Sequence, residues 1–147
     1  MTVRDAFSLG GRVALVTGGG GAIGSALGVA LAEAGARVAL VGRTPATLDE
    51  AVRRVEAAGG EALACLADVT DEAASEAAVA SAVERFGTVD IVVNAVGGGA
   101  GKVLHPAEAY PRDAWDWIME LNVRSTIVPT QAAVRRMIER GGGGAVL

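Results

Sequence analysis

Four consecutive glycines, Gly18, Gly19, Gly20 and Gly21, separate two stretches of different character. Before them Val13, Ala14, Leu15 and Val16 form a short apolar run without a 3.6-residue period, which suits a strand buried on both faces. After them Ile23, Leu27, Ala30, Leu31 and Ala34 predict the apolar side of a helix. Glycine permits positive φ and lets a ligand come close to the backbone. A strand, a glycine turn and a helix start aim free N–H groups and the positive end of the helix dipole at one point, a setting for phosphate. The segment from Gly19 to Gly24 matches G-x-G-x-x-G, and its context within a βαβ-sized unit supports dinucleotide binding. A tight glycine turn with no ligand is the alternative.

Three more apolar runs end on groups that could serve the same site. RVALVG leads to Gly42-Arg43, EALACLA to Asp68-Val69, and VDIVVN to Asn94-Ala95. Ligands of open α/β sheets bind beyond the carboxyl ends of the strands, so these groups and Thr17-Gly18 are predicted to share one edge. An NAD site usually places a carboxylate at the end of the second strand, about twenty residues past the glycines, to bond the ribose 2′-OH. This chain has Gly42 and Arg43 instead. With no carboxylate to repel a 2′-phosphate, and a guanidinium able to hold one bidentately, NADP(H) is expected over NAD(H). The plainer reading of Arg43 is a solvated loop arginine.

The remaining polar residues leave more open. Asp68 can accept from an adenine amino group, or act as a turn or N-cap carboxylate before the next helix. Asn94 can line the cleft or bridge neighbouring loops. Asn122 lies inside a predicted helix, where asparagine is mildly unfavourable. Pro129 lacks an N–H, frees the Ser125 carbonyl and is expected to bend or break that helix. His105, the one histidine, reads as a surface residue, and Cys65, the one cysteine, as a buried small hydrophobe. Trp115 and Trp117 are two apart, so one is expected to pack and the other to sit at an interface.

The frame for these residues is an alternation of strands and helices. Strands are predicted at 12–17, 37–42, 61–67 and 89–94, with a fifth starting at Ala145. Helices are predicted at 22–34 and from Pro45, as N1 after Thr44, to Gly59-Gly60, with an apolar stripe of Leu48, Val52 and Val55. A third has Asp71 and Glu72 in its first turn and buries Val79, Val83 and Phe86 before Gly87. A glycine-rich loop, 97–101, precedes a long helix at 112–140, with Ile118, Leu121, Ser125 and Val128 on one side. The alternation argues for a doubly wound parallel α/β sheet with right-handed crossovers, in one domain spanning 1–147.

Composition agrees. The chain has 147 residues, 51% of them hydrophobic and only 3% aromatic, which suits close-packed α/β layers. A net charge of −4 gives no electrostatic reason to expect nucleic acid or an anionic membrane as partner. No apolar run has the length of a membrane span, and no signal-peptide pattern opens the chain. One cysteine leaves no internal disulfide, so a cytoplasmic setting is the default expectation.

Taken together, these motifs resemble the short-chain dehydrogenase/reductase family. Thr17-Gly18-Gly19-Gly20-Gly21-Ala22-Ile23-Gly24 resembles its TGxxxGxG segment, with Ala22 in place of a glycine; the added methyl is expected to narrow the turn without closing it. Asp68-Val69, Asn94-Ala95-Val96-Gly97 (resembling NNAG) and Asn122 follow in the family's order and spacing. The resemblance implies a Rossmann fold, incomplete at the C-terminus because the chain stops within the fifth strand. It also implies pyrophosphate binding by the glycine segment, including Gly18, Gly20, Gly21, Ala22, Ile23 and Gly24. Adenine would meet Asp68 and Val69, and ribose would meet Asn94, Ala95 and Val96. Asn122 would be the one tetrad member present, holding a water in a proton relay with Ser, Tyr and Lys. Tyr110 is followed four residues later by Ala114, not Lys.

Three readings follow: the N-terminal portion of an NADP(H)-dependent alcohol/ketone oxidoreductase, a dinucleotide-binding half without chemistry, or a non-functional fragment. A methyltransferase would want an acidic residue where Gly42-Arg43 stands. The long helix is expected to be an association surface, giving a homodimer or homotetramer in the complete protein. No metal site is expected.

Overall fold

A computed structural model describes residues 7–98 and 104–147. Gly99, Ala100 and Gly101, part of the expected glycine-rich loop, lie outside the described residues. Five parallel strands, β1 (Val13–Thr17), β2 (Arg37–Gly42), β3 (Ala62–Leu66), β4 (Ile91–Asn94) and β5 (Ala145–Val146), form one sheet in the order β3-β2-β1-β4-β5. The chain builds outward from β1 to β3, then returns to the other side of β1 with β4. The β1/β4 boundary is therefore the topological switch point, where a crevice opens beyond the strand ends.

Side chains on successive strand residues point to opposite faces, and the core divides accordingly. Val13, Leu15, Ala39, Val41 and Val92 pack on one face with α3 (Glu72–Phe86) and α5 (Ser125–Arg140). Ala14, Val16, Val38, Leu40 and Val93 pack on the other with α1 (Ala22–Glu33) and α2 (Pro45–Ala57). All five residues of β1 are buried. This matches the unbroken apolar run read as a strand covered on both faces.

Two expectations need correction. The face that α1 turns to the sheet is Gly24, Ser25, Gly28 and Ala32, while Ile23 is 71% exposed and Leu27 is exposed as well. The helix lies so close to β2 that a Cβ on Gly28 would stand 2.9 Å from Leu40 Cδ2, so the packing selects an absent side chain over an apolar one. The helix expected at 112–140 spans those residues but is not α-helical throughout. It comprises α4 (Arg112–Met119), a π-helical turn (Glu120–Arg124) and α5. Pro129 does not break it; this residue is buried within α5. The π turn shifts the ladder ahead of Pro129, and nearby side chains occupy three carbonyls: Asn122 Nδ2 donates to Ile118, Ser125 Oγ to Leu121 and Thr126 Oγ1 to Asn122. Each is a bond to the carbonyl four residues back.

At the opposite end of the sheet from the crevice, the buried carboxylate of Asp90 ties three elements together. It accepts from Val13 N at 2.9 Å and from Arg140 Nη1 at 2.8 Å, and Arg12 lies 3.5 Å away. Burial alone would raise its pKa, but Arg140, the Val13 amide and Arg12 together outweigh it and hold the carboxyl below its ordinary value. Cys65 is buried as expected, and burial pushes its thiol up to about 11.

Candidate nucleotide-binding cleft

The glycine turn is shaped by what presses on it. Gly18 has φ +65°, and a Cβ there would stand 2.6 Å from the Ala95 carbonyl oxygen. A Cβ on Gly24 would collide with the Gly18 carbonyl, and one on Gly20 with Thr47 Oγ1. Gly19 N donates to Val41 O and Gly21 N to Gly18 O, both at 2.9 Å. Gly21 caps α1 with no side-chain hydrogen bond. The amides of the first helical turn, from Ala22 onward, thus precede the helix's own ladder and suit an anion. Ala22 is exposed.

All four strand ends reach one cleft of about 470 Å³. Of the predicted site residues, Gly18, Gly20, Gly21, Arg43, Asp68, Val69, Ala95 and Val96 line it. Thr17 and Asn94 stand behind its wall. Thr17 is fully buried; its Oγ1 accepts from Ala95 N at 3.2 Å and donates to Val93 O at 3.5 Å, fastening β1 to β4. Asn94 Nδ2 donates to Thr130 Oγ1 at 3.0 Å and to Leu147 O at 3.1 Å. Its Oδ1 is buried with no hydrogen-bond partner among the described residues. Ala22, Ile23 and Gly24 belong to the first turn of α1, beside the cleft lining rather than in it.

Asp68 and Asp71 divide the roles left open for one carboxylate. Asp71 is the N-cap of α3, accepting from Ala74 N at 2.7 Å. Asp68 Oδ1 accepts from Thr70 N at 3.0 Å and Thr70 Oγ1 at 2.7 Å, and its Oδ2 lies 3.7 Å from Arg43 Nη1. Those bonds from the Thr70 amide and hydroxyl, with Arg43 beyond them, hold Asp68 below the usual carboxylate range.

Asn122 does not reach into the cleft lining. Its Oδ1 accepts from Gly98 N at 3.1 Å and its Nδ2 donates to Gly98 O at 3.2 Å, pinning the segment that leaves β4. Arg124, on the same π turn, donates from Nε to Thr70 O at 2.8 Å and pairs with Glu120 at 3.2 Å. The π turn thereby joins the loop that carries Asp68.

Trp117, Glu120 and Leu121 also line the cleft, a contribution that sequence reading missed. Their i, i+3, i+4 spacing on one helical face was the available signal. Trp115 is 53% exposed and Trp117 44%, so neither is a core residue. His105 is exposed and meets Tyr110 edge to face at 5.3 Å between ring centroids.

A parallel sheet in this order, with a glycine turn at its switch point, defines a doubly wound α/β protein of Rossmann type. The short chain dehydrogenase profile matches residues 12–147, and the chain belongs to that family. It is 40% identical over 146 residues to gluconate 5-dehydrogenase of Gluconobacter oxydans, covering 99% of this chain and 56% of that protein. A crystal structure of NAD+-bound xylitol dehydrogenase is 34% identical, with a TM-score of 0.86, over 93% of this chain and 52% of that one. A 7α-hydroxysteroid dehydrogenase complexed with NADH and 7-oxo glycochenodeoxycholic acid is 33% identical, also with a TM-score of 0.86, over 99% and 55% of the two chains. The chain spans about half the length of the curated relatives it matches.

The cleft fits a nicotinamide dinucleotide on its own geometry. At Gly18, Gly20 and Gly24 a side chain would meet protein atoms of the turn or its supports, and amide donors gather at the helix start. Arg43 is the cationic side chain among the described residues that line the cleft, and its guanidinium is exposed beside Asp68.

Proposed function

We propose that this cleft takes NADP(H) in preference to NAD(H), and that the protein serves hydride transfer between that cofactor and an alcohol/ketone substrate. The observation that carries the cofactor preference is Arg43 on the cleft at the end of β2, where a carboxylate would select NAD. The glycine-turn amides and the first turn of α1 would hold the pyrophosphate. Arg43 would take the 2′-phosphate, Asp68 and Val69 the adenine, and Ala95 and Val96 the adenosine ribose. Thr17 and Asn94 support the same wall from behind through their bonds to Ala95, Thr130 and Leu147. The nicotinamide itself supplies the hydride chemistry when bound. Asn122 would take the relay role that the family resemblance implies, and its two hydrogen bonds with Gly98 support an ordered position for it.

A second reading is a dinucleotide-binding half without chemistry of its own. It is favoured by one sequence fact: residues 1–147 hold no Tyr-x-x-x-Lys, and Tyr110 is followed by Ala114 at that spacing. This chain alone is expected to bind nucleotide and not to oxidise NADPH with ketones; turnover above the no-protein control would contradict the second reading.

Trp115, Met119, Val123 and Ile127 are exposed at four-residue steps along α4, the π turn and α5. This face supports association into a homodimer or homotetramer. Among the described residues no helix is long and apolar enough to cross a membrane; a cytoplasmic setting is part of the same proposal. Replacing Arg43 by leucine tests the cofactor assignment: NADPH should weaken about tenfold or more, the worth of a charge-assisted bidentate contact, with NADH nearly unchanged. Equal losses for both would contradict it.

A further inference from the structure

Arg43 already has a partner. Residue 42 of β2 pairs with Leu66 of β3, and Ala67 N donates to Gly42 O at 2.8 Å, so the two strands leave the sheet side by side. This register fixes Arg43 and Asp68 as neighbours across the cleft mouth. Thr70 then fixes the carboxylate itself. Its amide and hydroxyl both hold Oδ1, which leaves Oδ2 facing the guanidinium at 3.7 Å. Side chains of both residues are well exposed, at 71% for Arg43 and 46% for Asp68, so the pair is screened and exchangeable. Asp68 is anchored by its turn; Arg43 has no other recorded ion pair among the described residues and a long flexible stem.

We propose that Arg43 exchanges partners on nucleotide binding, resting on Asp68 when the ribose carries a free 2′-OH and moving to the phosphate when it carries a 2′-phosphate, so that Asp68 sets how strongly the cleft prefers the phosphorylated cofactor. The inference rests on the proposed nucleotide reading of this cleft and extends it to a residue outside the Arg43 contact. A 2′-phosphate must compete with Asp68 for the guanidinium. A 2′-OH meets no such competition. Asp68 therefore moderates the preference that Arg43 creates, and it acts through Arg43.

The test is the ratio of NADH to NADPH dissociation constants in the wild type, Asp68→Asn, Arg43→Leu and the double variant, at low ionic strength. Asparagine keeps an oxygen for Thr70 and loses the charge. The ratio should rise about three- to fivefold in Asp68→Asn, the size expected for release of one exposed ion pair. It should show little or no rise when the same change is made in the Arg43→Leu background. Should Asp68→Asn fail to fold, Asp68→Ser, whose hydroxyl can still take the Thr70 amide, reads the same ratio. A ratio that stays the same or falls in Asp68→Asn overturns this inference while the wild-type preference for NADPH stands. An equal rise in the Arg43→Leu background overturns it too, because Asp68 would then act on the phosphate directly. A wild type that binds neither nucleotide, or prefers NADH, removes the underlying reading and this inference with it.

Discussion

The side-chain amide of Asn122 grips Gly98 at both ends, accepting from its N–H at 3.1 Å and donating to its carbonyl at 3.2 Å. A residue in the middle of a helical run thus fixes the backbone that leaves β4, four residues past Asn94. Asn122 can do so because it sits on the π turn, where Ile118 O also accepts from its Nδ2. Gly97 is held so close that a Cβ there would stand 3.0 Å from Asn122 Oδ1.

Replacing Asn122 by alanine removes both Gly98 bonds and leaves the Ile118 carbonyl without its side-chain donor. We expect a loss of about 1 kcal/mol, because these groups are only partly buried and water replaces part of the bonding. For a chain of this size that lowers Tm by about 2–4 °C. Thermal unfolding checks the loss, and faster amide exchange at Gly98 locates it; protection equal to wild type would contradict the clamp.

Asp90 makes stability depend on pH in a defined sense. Its folded pKa is depressed, so its contribution is fully present above the unfolded value of about 3.9 and fades as pH falls through the lower folded value. Asp90→Asn should cost about 2 kcal/mol at pH 7, because the Arg140 pair loses its charge and the Val13 amide keeps only a weaker acceptor. The difference between variant and wild type should shrink at pH 3. Urea midpoints at the two pH values measure it, and a difference that is constant or grows toward acid would contradict the assignment.

The glycine turn separates positions that need glycine from one that does not. Gly24→Ala drives a methyl into the Gly18 carbonyl and should cost about 3 kcal/mol or more through backbone displacement. Ala22→Gly removes an exposed methyl at the start of α1 and should change stability by less than about 1 kcal/mol. Chemical unfolding of both variants ranks them; a mild Gly24→Ala would mean the turn is not packed as described.

These cases also show how far the residues alone carry. The strands were legible because β1, β2 and β4 are covered on both faces and read as unbroken apolar runs. Glycine closing α1, α2, α3 and α5 was legible as well, as at Gly87 and Gly141, both with positive φ. The inward face of α1 was not, because Gly24 and Gly28 are core positions whose defining property is having no side chain, and an apolar count passes over them. The π turn was hidden for a different reason. One extra residue in a helix leaves no period to detect, and Pro129 drew attention to the wrong place. Asn122, Ser125 and Thr126, each bonding four residues back, were the trace it left. At the cleft, the contributions of β1 to β4 followed from strand order, whereas Trp117, Glu120 and Leu121 depend on how α4 and the π turn lie across the crevice. No local pattern specifies that.

The most direct measurement is a titration of the wild-type protein with NADPH and NADH under identical low-salt conditions, followed by calorimetry or nucleotide fluorescence. The account predicts saturable binding of both, with NADPH tighter by about tenfold, as a charge-assisted contact from Arg43 to a 2′-phosphate requires. NADH binding as tightly as NADPH, or more tightly, would contradict it.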